Sequence, residues 1–241
     1  PYITTLEEKE RLINALGAQM RLMHTNRSLL SMTAEEFAEK ILVQKYNAAE
    51  VTCGFNYRFG SAGSGDTQLL TKLGKIFGFN VTVVGERISG GETVSSSRIR
   101  ALISSGRIEE ANMLLGRSFS ISGTVEHGKR LGRTIGFPTA NVYPQSGALL
   151  PMSGVYETVV DINGERLSAI TNTGTNPTVG KETLRTETYI PSAEVDLYGK
   201  RITVEFVRFI RPEKKFSDLE ALKRQIREDL NGIAAFNNKK I

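Results

Sequence analysis

The periodicity of this chain changes at Gly116, and that change constrains its folding more than any other feature. Before it, helical and extended patterns alternate. Thr5-Leu-Glu-Glu8 reads as a capping box, and Leu12, Ile13 and Leu16 recur at helical spacing before Gly17 stops the run. Thr33-Ala-Glu-Glu36 is a second capping box, ahead of Phe37, Ile41 and Leu42 on one helical face. Val51 to Phe55 and Val81 to Val84 are short apolar strands. Between them Leu69, Leu70, Leu73, Ile76 and Phe77 predict a helix over 66–77, closed by Gly78. Two further helices are predicted over 97–104 and 108–115. Short buried strands between helices imply a parallel α/β sheet.

After Gly116 the period becomes two. Residues 118–126, 155–161, 167–171, 186–190 and 201–209 alternate, with Gly and Pro between them. This predicts an antiparallel barrel or sandwich. Ser217-Asp-Leu-Glu220 is read as the cap of a last amphipathic helix carrying Leu219, Leu222, Ile226 and Leu230, expected to cover an open end of the barrel. The domains are therefore expected to be 1–116 and 117–241. A length of 241 residues suits one large or two medium domains.

Composition narrows the class of function. There is no apolar run long enough to span a bilayer and no signal-peptide pattern, so a membrane role is not expected. The one cysteine, Cys53, excludes an internal disulfide and fits a reducing, cytoplasmic setting. Two histidines, His24 and His127, exclude a histidine-rich metal site. A net charge of +5 suits a protein that handles anions, but the basic residues are dispersed and no zinc-finger spacing occurs. Phosphate-bearing small molecules are thus the expected partners, rather than nucleic acid.

Three segments compete as phosphate sites. Gly123-Thr-Val-Glu-His-Gly-Lys-Arg130 nearly matches a P-loop, but Arg130 stands where Ser or Thr should ligate magnesium, and the segment lies in a β region. Gly128, Gly132 and Gly136 recur around Lys129, Arg130 and Arg133, then lead through Pro138 to Thr139 and Asn141. Glycines let backbone N–H groups approach phosphates, and Thr and Asn oxygens on one side of an extended segment suit Mg2+. The competing reading is a glycine-rich hairpin whose Thr and Asn satisfy turn amides. Val94-Ser-Ser-Ser-Arg-Ile-Arg100 opens a helix, where free amides attract anions; a serine cap with solvated arginines explains it equally. In Gly54-Phe-Asn-Tyr-Arg-Phe-Gly60, aromatics at 55, 57 and 59 suit either a planar heterocycle or core packing. Glu187, between Thr186 and Thr188, is either a carboxylate on a barrel's inner face, costly unless used, or an exposed strand residue.

Together these segments resemble the bacterial bifunctional riboflavin kinase/FMN adenylyltransferase family, the FAD synthetases. The resemblance rests on GFNYRFG, VSSSRIR, LLGRSFSISGTVEHGKRLGRTIGFPTANV, NTGTNPTVG, ETYI, DLYGK and RPEKKFSDLEALKRQI, in order through most of the chain. It implies an α/β plus β protein: a Rossmann-like nucleotidyltransferase module, incomplete here, then a riboflavin-kinase antiparallel β-barrel with a C-terminal helix. The barrel is implied to phosphorylate riboflavin to FMN with ATP and Mg2+. Thr139 and Asn141 would bind the metal and ATP, with Gly132, Arg133, Gly136 and Lys129 in a flap over the nucleotide. Glu187 would be the catalytic base, and segment 211–218 would close over the flavin. In the first module, Asn56 and Phe59 would approach the flavin, and Ser96, Ser97 and Arg100 would bind phosphate. The family's HxGH signature does not occur: His24 precedes Thr-Asn-Arg, and His127 lies in the barrel half. The chain, starting at Pro1, is therefore expected to be either a shortened form of an enzyme that also makes FAD or a natural kinase-only form. Residues 1–115 are expected not to catalyse adenylyl transfer unaided. A non-catalytic flavin- or nucleotide-binding protein is the alternative from another class.

Overall fold

A computed structural model describes residues 1–127, 131–178, 181–191 and 197–237. The chain forms two compact units, one of Pro1–Gln19 with Ser95–Ile241 and one of Met20–Val94.

The first helix, α1 (Leu6–Ala15), belongs to the larger unit. Thr5 caps it by accepting from the Glu8 amide, but the expected box is half made. The Glu8 carboxylate turns instead to Arg11, which donates to both its oxygens at 2.9 and 2.8 Å. The helix is tied to the barrel surface through Glu7, which meets Arg201 at 2.7 Å, and Thr4, which accepts from Arg117 at 2.8 Å.

The smaller unit contains α2 (Arg27–Ser31), α3 (Ala34–Glu36), β1 (Glu50–Gly54), α4 (Thr67–Phe77), β2 (Asn80–Val84), β3 (Ile88–Ser89) and β4 (Glu92–Thr93). Thr33 and Glu36 complete the second capping box reciprocally. The helix then continues over Phe37–Lys45 with π rather than α hydrogen bonding. Side-chain periodicity predicts that a helix forms there but carries no signal for a one-residue change in bonding step. β1 and β2 pair in parallel, from Glu50 opposite Asn80 to Gly54 opposite Val84, as expected for an α/β module. Asp66 accepts from the Leu69 amide at 2.8 Å to start α4, which ends at Gly78. Its Leu70 and Leu73 join Ala34, Ala38, Phe59 and Phe79 in the core of this unit.

The larger unit resumes with α5 (Ser96–Ser104) and α6 (Ile108–Leu115), followed by β5 (Phe119–Glu126), α7 (Leu131–Thr134), β6 (Thr139–Pro144), β7 (Gly154–Ile162), β8 (Glu165–Thr178), β9 (Lys181–Tyr189), β10 (Arg201–Arg211) and α8 (Leu219–Asn237). Six strands close into an antiparallel barrel in the order β10-β5-β6-β9-β8-β7. Closure leaves no unpaired edge to satisfy. Asn112 on α6 clamps two of the strands, donating to the Phe206 carbonyl at 2.8 Å and accepting from the Phe119 amide at 2.7 Å.

Strand alternation sorts the side chains. Phe119, Ile121, Val142, Tyr156, Val160, Ile202, Val204 and Phe206 fill the interior. Thr158, Thr171 and Thr188 lie among them with no exposure, and Thr171 shares hydrogen bonds with the other two at 2.8 and 2.9 Å. Two bulges in β10, around Val207 and Ile210, change which face each residue takes. They bring Phe209 inward against the Tyr156 ring, 5.2 Å between centroids, and put Arg208 outward, 2.9 Å from Glu157. The last helix starts from Asp218, which accepts from the Ala221 amide; Ser217, the expected cap, donates its hydroxyl to Asp218 instead. Its Leu230 and Ile233 pack on outward-facing Val155 and Ile170.

Candidate functional site

Between α8 and the outer face of the barrel lies a cavity of about 580 Å³. Its floor follows from strand register. One cross-strand row on the outer face runs from Asn141 on β6 to Glu187 on β9, Asn172 on β8, Val155 on β7 and Arg211 on β10. The next row carries Thr139, Tyr189 and Ile170. Directly opposed side chains sit roughly 5 Å apart at their Cβ atoms, so these residues are immediate neighbours despite their spacing in sequence.

Glu187 therefore differs from the inner-face alternative considered for it. Thr186 and Thr188 take the interior and are fully buried, and Glu187 points the other way, half-buried, into the cavity. The barrel core thus never has to accommodate this carboxylate.

Asn141 is 5% exposed and Thr139 half-buried. Among the described residues, two buried side-chain atoms have no hydrogen-bond partner: Asn141 Oδ1 and Asn172 Oδ1. They stand in the same row on either side of Glu187. An unpaired buried carbonyl costs roughly 1–3 kcal/mol, so two flanking one carboxylate mark a place prepared for something else to bind. The Thr139 hydroxyl and the Asn141 carbonyl are hard oxygen donors and fit a small divalent cation that keeps other ligands from a nucleotide. Among the described residues no cluster of three or more His, Cys, Asp or Glu offers an alternative metal site.

The turn before β6 forms one wall. The Gly132 carbonyl accepts from the amides of Ile135 and Phe137 at 3.2 and 2.8 Å. A Cβ on Gly132 would collide with the Phe137 carbonyl, so the tight turn requires glycine. Gly136 follows with φ +86°, and the Phe137 ring meets Tyr189 edge-on, 5.3 Å between centroids. Lys129 lies outside the described residues, as does the side chain of Arg133.

The opposite wall comes from residues 211–216 and α8. Arg211 donates to both carboxylate oxygens of Asp229, the closest bond at 2.8 Å, and its guanidinium lies 5.8 Å from the centre of the Phe216 ring. Glu213 accepts from Asn172 at 3.3 Å. Sequence reasoning placed 211–218 here but missed Asn172 and Asp229. Their signals were faint: Asn172 sits in NTGTNPTVG with no role assigned, and Asp229 is one of three acidic residues in a helix rich in charge.

The other predicted residues lie elsewhere. Ser96, Ser97 and Arg100 are at the start of α5, where Ser95 is the cap, accepting from the Arg98 amide at 3.2 Å. Ser96 and Ser97 are exposed, and Arg100 reaches the Ser97 hydroxyl at 3.5 Å. Asn56 and Phe59 belong to the smaller unit. Asn56 is exposed in the turn after β1, whereas Phe59 is 5% exposed, its ring packed near Tyr57 and Phe37 at centroid distances of 5.7 and 5.8 Å. Of the two readings of these aromatics, Phe59 fills the core-packing one.

Residues 115–236, which contain every cavity-lining residue, match the riboflavin kinase family model, and residues 1–98 match the FAD synthetase model. The chain is 38% identical over 229 residues to the bifunctional riboflavin kinase/FMN adenylyltransferase of Escherichia coli strain K12, covering 94% of this chain and 73% of that protein. The chain belongs to the bifunctional riboflavin kinase/FMN adenylyltransferase family. The Bacillus subtilis strain 168 member is 34% identical over 247 residues, covering 98% of this chain and 76% of its own. A crystal structure named macrolide-efflux protein from Streptococcus pneumoniae superposes with a TM-score of 0.86 at 31% identity, covering 96% of this chain and 77% of that one. Among the described residues of this family member, no helix is long and apolar enough to cross a membrane.

Proposed function

We propose that the protein phosphorylates riboflavin at its 5′-hydroxyl with ATP, giving FMN and ADP, and that the barrel half, residues 117–241, does so. One observation carries this reading: Glu187 lies in the cavity between two carboxamides whose oxygens are buried and unpartnered, within the segment matching the riboflavin kinase family.

The chemistry follows from these residues. The Glu187 carboxylate accepts the proton of the ribityl 5′-hydroxyl as that oxygen bonds to the γ-phosphorus of ATP. The bond from the γ-phosphorus to the bridging oxygen breaks, and ADP leaves. Phosphoryl transfer asks little covalent work of a protein; alignment and charge neutralisation dominate. Thr139 and Asn141 would hold Mg2+, which supplies neutralising charge to the phosphates. The glycine turn at 132–136 would lie against the nucleotide, with Lys129 and Arg133 contributing positive charge. Tyr189, Ile170 and Phe216 offer apolar surface to the flavin ring.

FMN adenylylation is the second activity proposed, with residues 1–116 contributing part of its module and not sufficient for it unaided, since the HxGH signature does not occur in them. The match of residues 1–98 to the FAD synthetase model supports it. Asn56 would serve the flavin, and Ser96, Ser97 and Arg100 the phosphates; Phe59, packed in the core of the smaller unit, would support the turn rather than touch the ring. The protein would act on small molecules in the cytoplasm.

The test is incubation of purified protein with riboflavin, ATP and magnesium, separating flavins by chromatography. FMN formation is expected. Riboflavin binding without FMN would replace the kinase reading with that of a non-catalytic flavin-binding protein.

A further inference from the structure

In the row Asn141–Glu187–Asn172, the outer two residues share one anomaly, but only Asn141 has a task in the proposed reaction. Asn172 faces the same cavity from β8, on the side of Glu187 away from β6. Its amide group is oriented by its surroundings. The nitrogen donates to Glu213 Oε1 at 3.3 Å. Glu213 is admitted by Gly174, where a Cβ would come 2.5 Å from the same oxygen, so any side chain there would displace the carboxylate. With the nitrogen so engaged, Asn172 Oδ1 is the free end of the group, and it is buried without a donor.

Folding gains nothing from an unpaired carbonyl, and an apolar residue of similar size would remove the penalty. The missing donor is therefore expected from whatever fills the cavity. On the β6 side, Thr139 and Asn141 suit a cation. On the β8 side, the only oxygen of the pair is an acceptor next to an acceptor, Glu187. Two adjacent acceptors match two adjacent hydroxyls of a polyol.

We infer that Asn172 Oδ1 accepts a hydrogen bond from the ribityl hydroxyl neighbouring the one Glu187 deprotonates, making Asn172 a specificity-determining residue for flavins that carry a polyol chain. This rests on the kinase reading above. The group also fixes the direction of the chain: with the 4′-hydroxyl held by β8, the terminal 5′-oxygen is turned toward Glu187 and the phosphate side of the cavity.

The experiment is a titration of the full chain, by quenching of flavin fluorescence, with riboflavin and with a flavin bearing an unsubstituted pentyl chain. Asn172→Leu should weaken riboflavin roughly tenfold, the scale of one neutral hydrogen bond, and leave the pentyl flavin within about twofold. Equal weakening of both ligands, or of neither, overturns the inference. Should the leucine variant fail to fold, the wild-type protein answers alone: 4′-deoxyriboflavin should bind roughly tenfold more weakly than riboflavin, and equal affinity overturns the inference. The two readings fail separately. Wild-type protein that makes no FMN sinks both, whereas FMN formation with unchanged riboflavin affinity in Asn172→Leu sinks this one only.

Discussion

The barrel buries polar side chains on both of its faces, and the interior treats them differently from the outer patch under α8. Inside, Thr158, Thr171 and Thr188 satisfy one another, Thr173 donates to the Met152 carbonyl at 3.0 Å, and Thr186 donates to the Val142 carbonyl at 3.2 Å. Outside, under α8, Asn141 and Asn172 keep their oxygens unpaired around Glu187. On β8 and β9 the two sets stand one residue apart, with Asn172 between Thr171 and Thr173 and Glu187 between Thr186 and Thr188. The interior hydroxyls complete the fold; the outer carboxamides are the groups proposed to meet a ligand. Burial alone does not distinguish the two sets, but hydrogen-bond satisfaction does.

The contrast can be broken most directly at Glu187. Glu187→Gln should lower kcat by roughly 10²–10⁴, the usual worth of a general base, with little change in melting temperature. A loss below tenfold removes Glu187 as the base. Next comes Asn141→Leu, expected to cost at least roughly tenfold in activity and to raise the magnesium requirement. Because it deletes an unpaired buried oxygen, thermal stability should hold or rise; a clear fall in melting temperature would mean that Asn141 belongs to the structural set. Thr171→Val tests the other face. It strands two hydroxyls and should cost about 1–3 kcal/mol in denaturant unfolding, with turnover per folded molecule unchanged.

The smallest effect expected is at Asp66, a half-buried carboxylate whose hydrogen bond from the Leu69 amide holds its pKa below the ordinary value. The stability it lends α4 is complete above the ordinary carboxylate pKa, about 4, and is lost as pH falls through the lowered value. Asp66→Asn keeps a cap without the charge. Its stability should therefore fall less steeply than wild type on acidification below about pH 4. Parallel curves would show that this cap contributes no pH dependence.

How much of this was legible in the sequence depended on range. Period-two alternation located the barrel strands, and capping boxes and apolar spacing located α1, α3 and α4, because these signals act over a few residues. Hydrogen-bonding step and register did not show. The π-bonded turn over Phe37–Lys45 has the same apolar spacing as an α-helix would. Glu187 was singled out, yet its face could not be chosen until its neighbours Thr186 and Thr188 were seen to fill the interior. Thr139 and Asn141 were legible as a pair because they sit two apart on one strand. Asn172 was not, since only the pairing of β8 with β9 brings it beside Glu187.

The Asn112 clamp and the tethers of α1 have a practical consequence for anyone dissecting this enzyme. The barrel's body is not one stretch of chain: it is assembled from residues before 20 and after 94. A fragment beginning at 117, where the period changes, would leave out the residue that accepts from the Phe119 amide and donates to the Phe206 carbonyl. It would also lose the backbone bridge that Tyr2 makes with Gly147 and Leu149 at 2.7 and 2.8 Å. A more faithful minimal kinase would keep residues 1–19 together with 95–241 and excise what lies between them.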